Sequence, residues 1–178
     1  LPTAQAAAVL EALHTAGTFT LKIDRPSAMS AAYQFHPLFH ACLRSDAVQG
    51  PDADQRRRLQ LRTIEALVAD GQAEAAVQVG LATGQIDPTC DLLEQLRPQL
   101  LDQGRQRTLL RWLGEIPAAD IERRPWLLLA RGEALCALSD PAGAQDLQRA
   151  IVPFTEQDEH DGLALALNAL ATSMVSRP

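Results

Sequence analysis

Glycine and proline cut most of this chain into lengths that suit paired short helices. From Gly50 onward the breaks fall at Gly71, Gly84, Gly104, Pro117, Pro125 and Asp140-Pro141. Glycine just past an apolar run and proline in a first turn are the usual helix stop and start signals. Between the breaks, apolar residues recur at helical spacing: Leu59, Ile64, Leu67 and Val68, then Leu92, Leu93, Leu96 and Leu100, then Leu109, Leu110, Trp112 and Leu113. Gly71 to Gly104 is 33 residues and Gly104 to Asp140 is 36.

These signals predict seven helices after Gly50. Asp52 or Asp54 opens the first, which ends at Gly71, and residues 73–82 form its short partner. Asp87-Pro88 supplies an N-cap and a first-turn proline for a helix that Pro98 should kink or shorten before Gly104. The helix carrying Trp112 follows, residues 117–124 read as a connector, and Pro125-Trp126 starts a helix to about Leu138. Ser139-Asp140-Pro141 turns the chain into a helix ending near Phe154, and the last begins near His160 with Leu163, Leu165, Leu167 and Leu170. A period of 33 to 36 residues is that of tetratricopeptide-like helix pairs. Ala75, Ala76, Ala130, Ala134, Ala144 and Ala150 fall where paired helices approach closely. The expected fold is mainly α, with a tetratricopeptide-like helix-pair superhelix over 49–178.

Residues 1–48 read differently. Residues 3–15 form one helix, with Thr3 as its cap and Gly17 as its stop. Thr18 to Ile23 alternates with period two, 24–30 is turn-forming and 32–35 is extended, which together read as a β-hairpin. Tyr33-Gln34-Phe35-His36-Pro37-Leu38-Phe39-His40 then carries an aromatic-ended strand into a helix opened by Pro37, whose fixed φ suits a first turn. Helix, hairpin and Pro37 helix match the C-terminal part of a winged-helix module, its earlier helices lying before Leu1. A start at Leu1 without methionine fits an excised segment.

Composition narrows the function classes. With 47% hydrophobic and only 4% aromatic residues, the chain is helix-rich. Its net charge of −6 repels a nucleic-acid backbone. Arg56-Arg57-Arg58 with Arg62 has no interleaved aromatic and reads as a solvated helix face. Cys42, Cys90 and Cys136 sit in apolar helical patterns and read as buried free thiols of a reducing compartment. No apolar run approaches the roughly 20 residues that span a bilayer, and no signal peptide opens the chain. The expected location is the cytoplasm.

No catalytic constellation stands out, and the chain is expected not to be an enzyme. Carboxylate pairs such as Glu65 with Asp70 lack a third group, and no serine has a nucleophile context. His36 and His40 share a helical face, but Cys42 points about 200° around the helix from His40 and no third metal ligand completes them. His14 and His160 are isolated, and Glu156, Asp158, Glu159 and Asp161 read as a solvated loop and helix start. Trp112 and Trp126 read as core residues at pair junctions.

Four blocks in order carry a family resemblance: Tyr33-Gln34-Phe35-His36-Pro37-Leu38-Phe39, Gly71-Gln72-Ala73-Glu74-Ala75-Ala76, Leu109-Leu110-Arg111-Trp112-Leu113 with Ile116-Pro117, and Arg124-Pro125-Trp126-Leu127. In this the chain resembles the MalT-like, LuxR-family signal-transduction ATPases, bacterial transcriptional regulators. The resemblance implies the end of a winged helix and the start of a tetratricopeptide-like sensor domain. It implies ATP or ADP for the full-length protein, with no cofactor in this segment. Implied partners are the protein's own nucleotide-binding domain, a small-molecule or protein effector, and DNA only through a separate output domain. It also implies a role for His36, as a nucleotide-phosphate sensor in the full-length protein. The plain reading of His36 is a structural histidine fixing the strand-to-helix corner, with Phe35 and Phe39 locking it. After Phe39 the family pattern departs at His40-Ala41-Cys42-Leu43-Arg44, and the chain has no phosphate-binding loop or recognition helix. The alternative function is a stand-alone tetratricopeptide-like interaction scaffold.

Overall fold

The computed structural model describes residues 3–23, 32–42 and 52–175. The expected turn at 24–30, the Gln49–Pro51 break and the Thr3 side chain lie outside the described residues. The fold is mainly α with one small antiparallel hairpin, and the chain divides into two compact units, Leu1–Gln55 and Arg56–Pro178.

In the first unit, α1 (Thr3–Thr15) stops at Gly17, whose φ of +67° is the left-handed conformation that ends helices at low cost in glycine. Strands β1 (Thr20–Ile23) and β2 (Ala32–Phe35) pair antiparallel with Thr20 opposite Phe35 and Ile23 opposite Ala32. Helix α2 covers 37–42 as far as the described residues run and begins at Pro37.

The second unit is a run of helices. Asp52 Oδ1 accepts the Gln55 N–H at 2.7 Å, so Asp52 rather than Asp54 caps α3 (Ala53–Ala69). Next come α4 (Ala73–Thr83), α5 (Ile86–Asp102), α6 (Gln106–Gly114), α7 (Ala118–Glu122), α8 (Pro125–Ala137), α9 (Ala142–Glu156) and α10 (His160–Val175). Among the described residues eight helices thus follow Gly50 instead of seven. The extra one is α7: the Pro117 carbonyl accepts the Asp120 and Ile121 N–H groups, and Ile121 is buried.

Two helix starts and stops differ from the sequence signals. Helix α5 begins after Gln85, whose carbonyl takes both the Thr89 N–H and the Thr89 hydroxyl. Asp87 therefore lies inside the first turn, where Pro88 still costs nothing because first-turn N–H groups have no helical partner. Pro98 does not end the helix, which continues to Asp102. Its ring is on the exposed side, while Leu93, Arg97 and Leu100 on the opposite side are buried and hold the segment helical through packing.

The core runs through all of these helices, with Leu93, Leu100, Leu109, Leu113, Leu127, Leu129, Leu147 and Phe154 fully enclosed. Burying each such side chain contributes about 1.5–3 kcal/mol. Trp112 joins this core; Leu59, Val68, Leu165 and Leu167 do not, and stay exposed. In α10, Leu163, Ala166 and Leu170 face inward, which leaves Leu165 and Leu167 about 100° to either side. Ala76, Ala130, Ala134 and Ala150 are fully buried, whereas Ala75 and Ala144 are half-buried. Only Cys90 matches the expectation of buried thiols, since Cys136 is half-buried and Cys42 exposed. Among the described residues no helix is long and apolar enough to cross a membrane.

Candidate functional site

Helix α5 carries an inward stripe of Leu93, Leu96, Arg97 and Leu100, and this spacing forces a guanidinium into an apolar layer. A buried cation is tolerable only when paired. Arg97 Nη1 donates to Glu133 Oε2 on α8 at 2.5 Å, and its Cζ lies 5.5 Å from the Trp126 ring centroid. Trp126 in turn meets Phe154 of α9 edge-on at 5.2 Å. Arg97 Nε is buried and lacks a hydrogen-bond partner. Burial pushes the Glu133 carboxyl above its ordinary range, with Arg97 opposing the rise.

Glu133 is also a wall of a cavity of about 640 Å³ shared by α8, the α8–α9 turn and α10. Cys136 follows one turn later on the same face of α8. Ser139, at φ +60°, swings the chain out of α8 and presents itself and Asp140 at the rim. Asp140 Oδ1 accepts the Ala142 N–H at 2.9 Å, which starts α9. From α10 come Thr172 and Ser173, whose hydroxyls donate to the Asn168 and Leu170 carbonyls at 2.9 and 2.7 Å.

A second polar cluster ties the same helices together. Arg124, the residue before α8, donates to Asp91 at 2.6 Å and to Asp87 at 3.2 Å, and lies 3.5 Å from Glu94, all on α5. Burial works against the Arg124 charge, but the Asp91 and Asp87 hydrogen bonds outweigh it and its pKa is raised. Arg131 makes a two-pronged pair with Asp146 at 2.6 and 2.8 Å, joining α8 to α9. These charges fix how α5, α8 and α9 pack.

The first unit brings Phe35, His36 and Phe39 together at one corner. The His36 N–H donates to the Phe19 carbonyl at 2.7 Å, and the Leu38 N–H donates to His36 Nδ1 at 3.3 Å, so the imidazole caps α2. Phe39 packs 5.5 Å from Phe35 and 6.1 Å from Phe19, and the His36 ring is 5.9 Å from Phe19. Tyr33 donates to Glu11, which also pairs with Lys22 at 3.0 Å. The Tyr33 hydrogen bond holds the Glu11 carboxyl below its ordinary range, with Lys22 adding to the effect. Pro37 is exposed at the first position of α2. The His36 side chain is exposed, and among the described residues no group of three or more His, Cys, Asp or Glu is arranged to hold a metal.

Arg97, Glu133 and Asp146 are not singled out by the sequence, and Arg124 stands there only in a family block without an ionic role. The signal for Arg97 was present, a charged residue at an apolar-stripe position between Leu93 and Leu100. Nothing in the sequence pairs it with Glu133, 36 residues away. No protein-family model, curated protein or solved structure matches the chain.

Proposed function

We propose that this chain is a non-catalytic sensor and relay segment of a MalT-like, ATP-dependent transcriptional regulator acting in the cytoplasm. In this reading residues 1–48 are the C-terminal part of a winged-helix module that faces the protein's own nucleotide-binding domain, and the following helix pairs form a tetratricopeptide-like sensor. A small-molecule or protein effector binds the sensor, and DNA is reached through a separate output domain.

One observation carries the relay: Glu133 is at once a wall of the cavity and the partner of buried Arg97 on α5. An effector shifts a conformational equilibrium only by binding one arrangement better than another. A ligand that engages Glu133 changes what remains for Arg97, and through it the α5–α8 packing and the Trp126–Phe154 contact. The test is nucleotide retention by the intact regulator. Arg97→Met is expected to change the ADP release rate about fivefold or more, within the usual range of coupling energies. Unchanged release from a folded variant sinks the relay. An intact protein that binds no ADP leaves the scaffold reading in its place.

A further inference from the structure

We infer that the cavity at the α8–α9 turn is a binding site for a small organic ammonium ligand with a short apolar body. This deepens the sensor reading by naming its ligand class, yet it rests on the lining of the cavity alone.

The polar lining is rich in acceptors and poor in donors. Glu133 and Asp140 are carboxylates, and among the described residues no lysine, arginine or histidine lines the space. The hydroxyl hydrogens of Thr172 and Ser173 are committed to the Asn168 and Leu170 carbonyls, so neither faces the cavity as a donor. Glu133 meets Arg97 through Oε2, and a carboxylate has lone pairs for several partners at once. Arg97, Glu133 and Asp140 together carry one net negative charge, and a single ammonium group brings this to zero.

The remaining lining suits the rest of such a ligand. Ala137, Ala144 and Ala169 give a small-residue apolar surface, and about 640 Å³ falls in the range of small-molecule sites. An anionic ligand meets two carboxylates, against which the Ser139 hydroxyl offers only a neutral donor. A neutral alcohol keeps the apolar contact and forfeits the charge-assisted hydrogen bond.

The probes are n-butylammonium, n-butanol and butyrate, which share a chain and differ in head group, titrated against the full chain while amide chemical shifts are recorded. The expected result is saturable binding of butylammonium, with shifts centred on Ser139, Asp140, Thr172 and Ser173. Its affinity should exceed that of butanol at least tenfold, and butyrate should not bind. Glu133→Gln should weaken butylammonium at least tenfold. Asp140→Asn, on an exposed turn and able to keep its acceptor for Ala142, should weaken it several-fold with unfolding unchanged. Equal affinity for butanol, shifts scattered over the surface, or wild-type affinity in both variants overturns the site. Ammonium binding that leaves ADP release from the intact regulator unchanged supports the site and sinks the relay. ADP release that responds to Arg97→Met without any ammonium binding does the reverse.

Discussion

Gly132 on α8 and Gly143 on α9 face each other so closely that a methyl on either would come within 3.0 Å or 2.7 Å of the other's carbonyl oxygen. A methyl on Gly143 would also lie 2.7 Å from the Cys136 backbone nitrogen. Backbone cannot yield as a side chain can, so the approach of α8 to α9 depends on two missing Cβ atoms. The Arg131–Asp146 pair and the walls of the cavity are built on this crossing.

Gly143→Ala is therefore expected to destabilise the protein by about 1–3 kcal/mol through overpacking, despite the better helix propensity of alanine. Gly114→Ala is its control. A methyl there meets nothing within 4 Å, and the gain in propensity should stabilise by about 0.5 kcal/mol. Urea midpoints at constant m-value read both signs.

Removing one partner of the Arg97–Glu133 pair should cost far more than removing both. Arg97→Ala strands a carboxylate that is only 16% exposed, at a cost of about 3 kcal/mol or more. The double variant Arg97→Met with Glu133→Leu replaces the pair by apolar contact and should lose less than half of that. A double-mutant cycle on unfolding free energies measures the difference.

The pH dependence should carry two opposing contributions. Glu133 is raised above 4.5 by burial, so the folded protein holds its proton more tightly than the unfolded chain. Its contribution is fully present below pH 4.5 and is lost as pH climbs through the folded value. Glu74 is lowered from 4.5 by the hydrogen bond from Arg105. Its contribution is present above 4.5 and is lost as pH falls. Glu133→Gln should flatten the decline just above 4.5 and Glu74→Gln the decline below it, in urea midpoints taken between about pH 3 and pH 7.

Thiol modification should proceed in a fixed order. Cys42 is exposed and should react first in the native protein, with half-buried Cys136 slower. Burial pushes the Cys90 thiol up to about 11, so it lacks both access and thiolate at neutral pH. Cys90 should react only at the rate of unfolding, and mass spectrometry of alkylated peptides gives the order.

His36 can be tested for its two readings separately. His36→Ala removes the cap on the Leu38 N–H and should cost about 1 kcal/mol locally, while His36→Asn supplies another capping acceptor and should recover most of it. Hydrogen exchange at Leu38 reports this. If ADP retention by the intact regulator also recovers with asparagine, the corner is what matters; if only histidine serves, the imidazole itself does.

Much of the fold was legible in local chemistry. Gly17, Gly71, Gly84 and Gly104 all adopt positive φ, and the helices end where those glycines stand. Pro125 begins α8, and period-two alternation found the hairpin. Such signals act within a few residues, which is why they can be read from order alone. Pro98 does not shorten α5, because a proline's local cost is outweighed by the packing of Leu93, Arg97 and Leu100 against other helices, which the residues around position 98 do not themselves supply.

The sequence by itself determined that short helices would pair, where most would stop, and that an aromatic corner would join strand to helix at His36. Only the tertiary structure decided that Arg97 would meet Glu133, that Arg124 would gather three carboxylates, and that a cavity would open beside Cys136. Those contacts join residues some 30 or more positions apart, and their partners are chosen by the crossing of α8 with α5 and α9. The physical reason is that a turn is fixed by the conformational limits of one or two residues. A buried ion pair and the space beside it exist only once whole helices have been brought to contact distance.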